Sequence, residues 1–226
     1  MSSCRTATAT FNLPDIMPQY RTYCIIGQGR GGTSMTANLV EMLGVKLTKT
    51  NQVTEDVAFR KVVQTSDLNL EDVAFRKVVQ TPDLNLEDVK AELDKRNVDS
   101  VWAWKIPHCG VNLPKWYKLI RNPFWIYILR DHMASALTEV RVNPDVNAIN
   151  MLKMKCDQEI LLHSFINNVD KEKLPILLIS DERVRLHKGQ FLFELIKFLG
   201  TNPSIENVTK ATDFIDEEGR LQLTKM

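Results

Sequence analysis

The sequence predicts an α/β fold, a three-layer sandwich in which a central, mostly parallel β-sheet lies between two layers of helices. Short apolar runs alternate along the chain with segments whose apolar residues recur at helical spacing, as in strand–helix units. The apolar runs show no strict polar/apolar alternation, which is typical of strands buried on both faces of a parallel sheet. A length of 226 residues fits a single domain better than two. In such a fold, ligands bind at the carboxyl ends of the strands.

The predicted elements follow one another in this alternating order. Residues 23–26 are a short β-branched run that ends at a glycine turn, and residues 33–43 follow with helical spacing and Gly44 as the expected C-cap. Later strands are predicted at residues 101–104, 125–129 and 174–179. Later helices are predicted at residues 134–140, 146–168 and 188–199.

A tandem repeat interrupts this pattern. Residues 55–70 (EDVAFRKVVQTSDLNL) recur as residues 71–86 (EDVAFRKVVQTPDLNL), with Ser66 replaced by Pro82. Two copies are too few for a stacked solenoid. Each copy predicts a short helix and a polar turn, whose asparagine, Asn69 or Asn85, can cap the next helix. We therefore expect one domain over residues 1–226, with an N-terminal extension over 1–20 and a helical insertion over 55–89.

The composition excludes several classes of protein. The chain is 44% hydrophobic and 25% charged with a net charge of +1, which is ordinary for a soluble protein and gives no basic field for nucleic acid. No apolar run approaches the roughly 18 residues of a membrane-spanning helix, and residues 1–20 do not resemble a secretory signal. The four cysteines are far apart and lack zinc-ligand spacing, and Cys24 lies in an apolar strand. We expect a soluble, cytoplasmic protein that needs no metal.

The segment GQGRGGTS, residues 27–34, joins the first strand to the first helix, and we call it the anion loop. Its four glycines allow the backbone to approach a ligand closely. The first amides of the following helix have no partner within the helix and attract an anion together with the helix dipole. Thr33 and Ser34 add hydroxyl donors, and Arg30 adds a guanidinium that suits phosphate or sulfate oxygens. These residues predict an anion-binding turn.

Two familiar phosphate-binding patterns match the anion loop only in part. The pattern GxxxxGK[ST] requires a lysine where this chain has Thr33, which disfavours ATP or GTP hydrolysis. The string GxGxxG is present at residues 27–32, but the acidic residue that binds a dinucleotide ribose is not recognisable after it.

Four segments together resemble the sulfotransferases. CIIGQGRGGTSMTANLVEMLGV (residues 24–45) resembles the 5′-phosphosulfate-binding loop, WKIP (104–107) the Lys-x-Pro element at a strand end, and IYILRDHMASALT (126–138) the 3′-phosphate block. Residues 176–200 are similar to the family's last strand, acidic turn and helix. The resemblance covers roughly residues 21–200 and implies a P-loop-like nucleotide-binding fold. It also implies 3′-phosphoadenosine 5′-phosphosulfate (PAPS) as sulfate donor and 3′-phosphoadenosine 5′-phosphate (PAP) as product.

The resemblance implies roles for individual residues. The anion loop is expected to bind the nucleotide through Gly29, Arg30, Gly31, Gly32, Thr33 and Ser34. Arg130 is expected to bind the 3′-phosphate together with Thr138, eight residues further on, or with Ser135. Arg30 and Lys105 are the expected catalytic cations. His108 and Glu55, with Glu71 as its repeat copy, are candidates for the base. Asp131 orients Arg130 or caps the following helix.

The expected function is transfer of a sulfuryl group from PAPS to a hydroxyl or amine of a small-molecule or carbohydrate acceptor. Two alternatives stay open at this point. One is an inactive nucleotide-binding or interaction protein of the same fold, because the glycine-rich basic loop of some sulfotransferases has no counterpart near the C-terminus. The other is a nucleotide or small-molecule kinase, which would require magnesium and ATP.

Overall fold

The computed structural model describes residues 6–48, 85–107 and 112–223, and it describes side chains up to residue 217. Almost all of the tandem repeat therefore lies outside the described residues. So do the candidate residues Glu55, Glu71 and His108.

The described residues contain six strands in one sheet, in the order β1-β6-β5-β2-β4-β3. The strands are β1 (Thr8–Phe11), β2 (Arg21–Gly27), β3 (Lys46–Leu47), β4 (Val101–Lys105), β5 (Pro123–Leu129) and β6 (Ile176–Ser180). Strands β2 to β6 run parallel to their neighbours, and β1 pairs antiparallel with β6. The predicted α/β fold with a mostly parallel sheet is confirmed.

Helices connect and cover these strands. They are α1 (Thr33–Met42), α2 (Leu86–Arg96), α3 (Leu113–Trp116), α4 (His132–Val142), α5 (Ala148–Lys171), α6 (Asp181–Val184), α7 (Lys188–Leu199) and α8 (Ile205–Leu223), with a 3₁₀ turn at Tyr117–Leu119. Among the described helices, none combines the length and the apolar character that a membrane crossing requires.

The core consists of two apolar layers, one on each face of the sheet. Tyr23 and Ile25 of β2 face the layer that α1, α7 and α8 cover, whereas Cys24 and Ile26 face the layer that α2, α3 and α5 cover. Successive residues of a strand point to opposite faces, so a strand buried on both faces reads as a continuous apolar run. Cys24, which the sequence places in an apolar strand, is fully buried there as a core residue.

The topology locates a crevice at the end of β2. This strand lies between β4 and β5, with Ile25 opposite Lys105 on one side and Gly27 opposite Ile128 on the other. The carboxyl ends of the three strands therefore meet at one edge of the sheet. After β2 the chain first adds β3 and β4 on one side of this strand, and later adds β5 and β6 on its other side. That is where parallel sheets bind ligands.

Two parts of the fold differ from the sequence prediction. Residues 8–11, expected within an N-terminal extension, form the edge strand β1, and residues 205–223 form a helix that the prediction did not include. Strand β1 carries the short sequence TATF, whose residues alternate between half-buried and exposed. It therefore lacks the continuous apolar run that identified the inner strands.

Candidate active site

The anion loop forms a tight turn at the carboxyl end of β2. The amide of Gly31 donates to the carbonyl of Gln28 at 3.0 Å. Arg30 and Gly32 have φ of 62° and 84°, in the left-handed region. The first helical bond of α1 runs from the amide of Thr36 to the carbonyl of Gly32 at 3.1 Å, and no side chain of the described residues caps this helix. The amides before Thr36 therefore have no partner within the helix and suit an anion.

Three glycines of the loop are required by close approach. A Cβ atom on Gly27 would lie 2.9 Å from the carbonyl oxygen of Ile128, one on Gly31 would lie 2.7 Å from that of Gln28, and one on Gly32 would lie 2.2 Å from Oδ1 of Asp181. None of these distances is compatible with a side chain. The glycine content of the loop thus has a steric cause beyond access to a ligand.

Lys105 contacts the loop from the β4 side. It is the last residue of its strand and is almost fully buried, and its Nζ donates to Oγ of Ser34 in the first turn of α1 at 3.2 Å. The structure thus brings together two residues that the sequence assigned to the same site from segments 71 positions apart.

Arg130 contacts the loop from β5. Its Nη1 donates to the backbone carbonyl of Arg30, and its Nε lies 3.6 Å from Oδ2 of the buried Asp181. The following residue, Asp131, caps α4 by accepting from the amide of Ala134 at 2.8 Å, which confirms the capping interpretation.

The side chain of Arg30 lies toward α4. Its Nε is 3.3 Å from Oε2 of the buried Glu139, while about half of the arginine side chain, 45%, is exposed. Glu139 also accepts from Nδ2 of Asn143 at 3.0 Å. Sequence reasoning did not find Glu139, because a helical glutamate carries no local sign of its distant partner.

The two candidate hydroxyls for the 3′-phosphate differ in their environment. Oγ1 of Thr138 donates to the carbonyl of Ala134 within α4 at 2.7 Å. Ser135 is fully buried in the same helix, and its Oγ has no hydrogen-bond partner among the described residues. The hydroxyl of Thr138 is thus used within its own helix, whereas no described residue bonds the hydroxyl of Ser135.

A buried lysine on α5 completes the surroundings of the loop, and the sequence analysis missed it. Nζ of Lys155 donates to the carbonyl of Gly29 at 2.9 Å. Nε2 of Gln28 donates to the carbonyl of Lys155 at 2.9 Å and to Oε2 of Glu159 at 2.6 Å. One signal was available in the sequence: helical spacing places Lys155 and Glu159 on the buried face of α5, between Met151 and Leu162.

Burial lowers the pKa of the Lys155 ammonium to about 8. The carboxylate of Glu139 opposes this shift, whereas the nearby cations Arg30 and Arg130 add to it. Burial and the hydrogen bond to Glu159 also raise the pKa of Tyr127, whose hydroxyl donates to Oε1 of that glutamate at 2.7 Å. The site therefore holds its positive charge partly in a dry environment, where electrostatic interactions are strong.

The fold and the site define an α/β protein whose anion loop lies at the carboxyl edge of a parallel sheet, with basic side chains on either side. No family model matches the chain, and no curated protein matches it. Solved structures do match.

The sulfotransferase domain of the olefin synthase of Synechococcus PCC 7002 is 14% identical, with a TM-score of 0.55, and the match covers 87% of this chain and 78% of that one. The sulfotransferase domain of the curacin biosynthetic pathway is 15% identical, with a TM-score of 0.52 and coverage of 84% and 77%. A retinol dehydratase in complex with androsterone and the inactive cofactor PAP is more distant, with a TM-score of 0.46 and 12% identity. The chain thus has a sulfotransferase-like fold, and the predicted resemblance is confirmed at that level.

Proposed function

We propose that this protein is a sulfotransferase that moves a sulfuryl group from PAPS to a hydroxyl or amine of a small-molecule or carbohydrate acceptor. One observation carries the proposal: three basic side chains from three separate segments of the chain converge on the anion loop. Lys105 reaches Ser34, Arg130 reaches the carbonyl of Arg30, and Lys155 reaches the carbonyl of Gly29. A fold that concentrates buried positive charge at a helix N-terminus is suited to a multiply charged anion.

The residues present fit such a nucleotide. The uncapped start of α1 and Lys105 suit the 5′-phosphosulfate, and Arg130 with the hydroxyl of Thr138 or Ser135 suits the 3′-phosphate. Arg30, whose half-exposed side chain pairs with Glu139, is a further cation that would be available to the phosphate oxygens. When bound, PAPS supplies the activated sulfuryl group.

The protein's own contribution to the reaction is positioning and electrostatic stabilisation. Sulfuryl transfer resembles phosphoryl transfer, in which charge is spread over peripheral oxygens and a leaving group must be stabilised. The loop amides and the buried Lys105 are fixed before the reaction begins, so they stabilise negative charge without reorganising. For the base that takes the acceptor's proton, the candidates are His108 and Glu55, on sequence grounds.

Binding of PAP in metal-free buffer tests the proposal. We expect PAP to raise the free energy of unfolding, by about 2.7 kcal/mol at a ligand concentration 100 times Kd, measured as a thermal shift. Arg130→Ala is expected to lose most of this stabilisation, because the 3′-phosphate loses its guanidinium. Arg141→Ala, which removes an exposed arginine from α4, controls for the change in net charge and is expected to keep it.

Two outcomes would contradict the proposal. Stabilisation by ATP with magnesium, but not by PAP, would indicate a kinase. Stabilisation by PAP without turnover of PAPS across a panel of acceptor alcohols and amines would indicate an inactive nucleotide-binding protein.

A further inference from the structure

Lys155 is a buried ammonium with little compensation. The residue is fully buried on α5, and its Nζ has one acceptor among the described residues, the carbonyl of Gly29. No carboxylate of the described residues forms an ion pair with it. The buried Glu159, one turn further along α5, is engaged by Gln28, Tyr127 and His163 instead. A buried charge is costly unless an opposite charge lies nearby.

The other charged groups around Lys155 come from three further elements. Arg30 lies in the anion loop, Arg130 lies after β5, and Glu139 lies on α4, where it is paired with Arg30 at 3.3 Å. Glu139 balances Arg30, and the buried Asp181, 3.6 Å from Nε of Arg130, balances that arginine, so the ammonium of Lys155 is left as the excess positive charge at the loop. This excess charge lies beside the anion loop, which leads into the uncapped first turn of α1.

We propose that Lys155 is a positioning residue of the anion loop, which holds the carbonyl of Gly29 on the α5 side, and that a bound phosphate or sulfate supplies the counter-charge of this buried ammonium. A carbonyl and the following amide point in opposite directions across one planar peptide, so holding the carbonyl of Gly29 toward α5 turns the amide of Arg30 away from α5. The inference rests on the proposed function only in requiring that the loop binds an anion. It adds a charge-balancing role for a residue of the long helix α5.

The proposal has a consequence for protons. An anion near the ammonium favours its charged form and raises the pKa of Lys155 above the value of about 8 that burial gives it. At a pH above about 8, a fraction of the unliganded protein has a neutral Lys155, so ligand binding takes up a proton. Below that pH the lysine is already charged and contributes no uptake. Affinity for the anion is therefore expected to fall as the pH rises above about 8.

Calorimetric titration with PAP at a pH of about 8.5, in two buffers of different ionisation enthalpy, measures this uptake. We expect the wild-type protein to take up roughly half to three quarters of a proton per ligand, and Lys155→Met to take up less by that amount. Methionine matches the shape of the lysine stem without its charge. We expect this variant to fold with equal or higher stability, since a buried charge is removed, and to bind PAP at least about tenfold more weakly at pH 7. Equal uptake and equal affinity in the two proteins would overturn the proposal.

A second variant tests the electrostatics without altering the lysine. Glu139 favours the charged form of Lys155, so Glu139→Gln is expected to lower the lysine pKa further and to move the onset of proton uptake to lower pH. An unchanged onset would contradict the role of Lys155 independently of whether Lys155→Met folds.

Sulfate, titrated in the same way, separates this inference from the proposed function. Uptake with sulfate but no binding of PAP would refute the nucleotide site and support the role of Lys155. Binding of PAP without Lys155-dependent uptake would support the nucleotide site and refute the role of Lys155. Absence of binding by both anions would refute both.

Discussion

Gly32 shows how one residue links the loop to the far side of the site. A Cβ atom there would lie 2.2 Å from Oδ1 of Asp181, and this carboxylate lies 3.6 Å from Nε of Arg130. The space left by the missing side chain therefore admits the acidic partner that orients Arg130. Gly32 also has a φ of 84°, which disfavours any other residue.

Gly32→Ala introduces both backbone strain and a clash with Asp181. Gly44→Ala introduces backbone strain alone and therefore serves as its control. Gly44 has a comparable φ of 100°, but a Cβ atom on it would meet nothing within 4 Å. We expect Gly44→Ala to lose about 1 kcal/mol from backbone strain alone and Gly32→Ala to lose about 3 kcal/mol, from strain and displacement of Asp181. Chemical denaturation measures both losses, and PAP binding is expected to weaken only in Gly32→Ala. Equal losses in the two variants would show that Asp181 moves away without cost.

Local sequence identified some residues of the candidate site and could not identify others. Arg30, Lys105 and Arg130 stand beside predicted strand ends, so a parallel sheet had to bring them to one edge. Thr138 and Ser135 differ in their side-chain hydrogen bonds within α4, and no spacing rule supplies that difference. The contact between Lys155 and the loop spans 126 positions and follows only from the packing of α5.

Helix α1 begins without a side-chain cap. Side-chain caps start α2, α4 and α5, at Asn85, Asp131 and Asn147, whereas α1 begins at Gly32 without one, as α3, α6 and α7 also do. The prediction that Asn85 caps the following helix is confirmed, since its Oδ1 accepts from the amide of Glu87 at 3.0 Å. A capping side chain at α1 would occupy the amides that the proposed ligand requires.

Asn147 provides a test of capping outside the site. Its Oδ1 accepts from the amides of Ile149 and Asn150, at 3.0 and 3.1 Å. We expect Asn147→Ala to lose about 1 kcal/mol of unfolding free energy, because two amides lose their acceptor, and Asn147→Asp to keep most of it. Urea denaturation of the three proteins measures the difference. A loss of equal size in Asn147→Asp would show that the contribution of Asn147 is not capping.

Among the secondary-structure elements, the sequence predicted the inner strands and the long helices. Strands β2, β4, β5 and β6 are continuous apolar runs because both their faces are buried, and α7 has the predicted bounds. Strand β3 has two residues and β1 has four, half of them exposed. Such short edge strands depend on the partner strand more than on their own sequence.

For the whole molecule, the two apolar layers share the same strands. In β5, Phe124 and Ile126 belong to the α1, α7 and α8 side, and Trp125 and Tyr127 to the opposite side. Unfolding of one layer would expose strand residues whose immediate neighbours in sequence pack in the other layer. This arrangement supports our proposal that the chain is a single domain.

All four tryptophans of the chain, Trp102, Trp104, Trp116 and Trp125, are fully buried in the layer beneath α2, α3 and α5. Indole emission therefore reports on one half of the interior only, whereas far-ultraviolet circular dichroism reports on the helices of both halves. If the shared strands couple the two halves, the two signals are expected to follow one denaturation curve. The half covered by α1, α7 and α8 contains no tryptophan. If the ellipticity changes at a lower denaturant concentration than the emission, this half unfolds first.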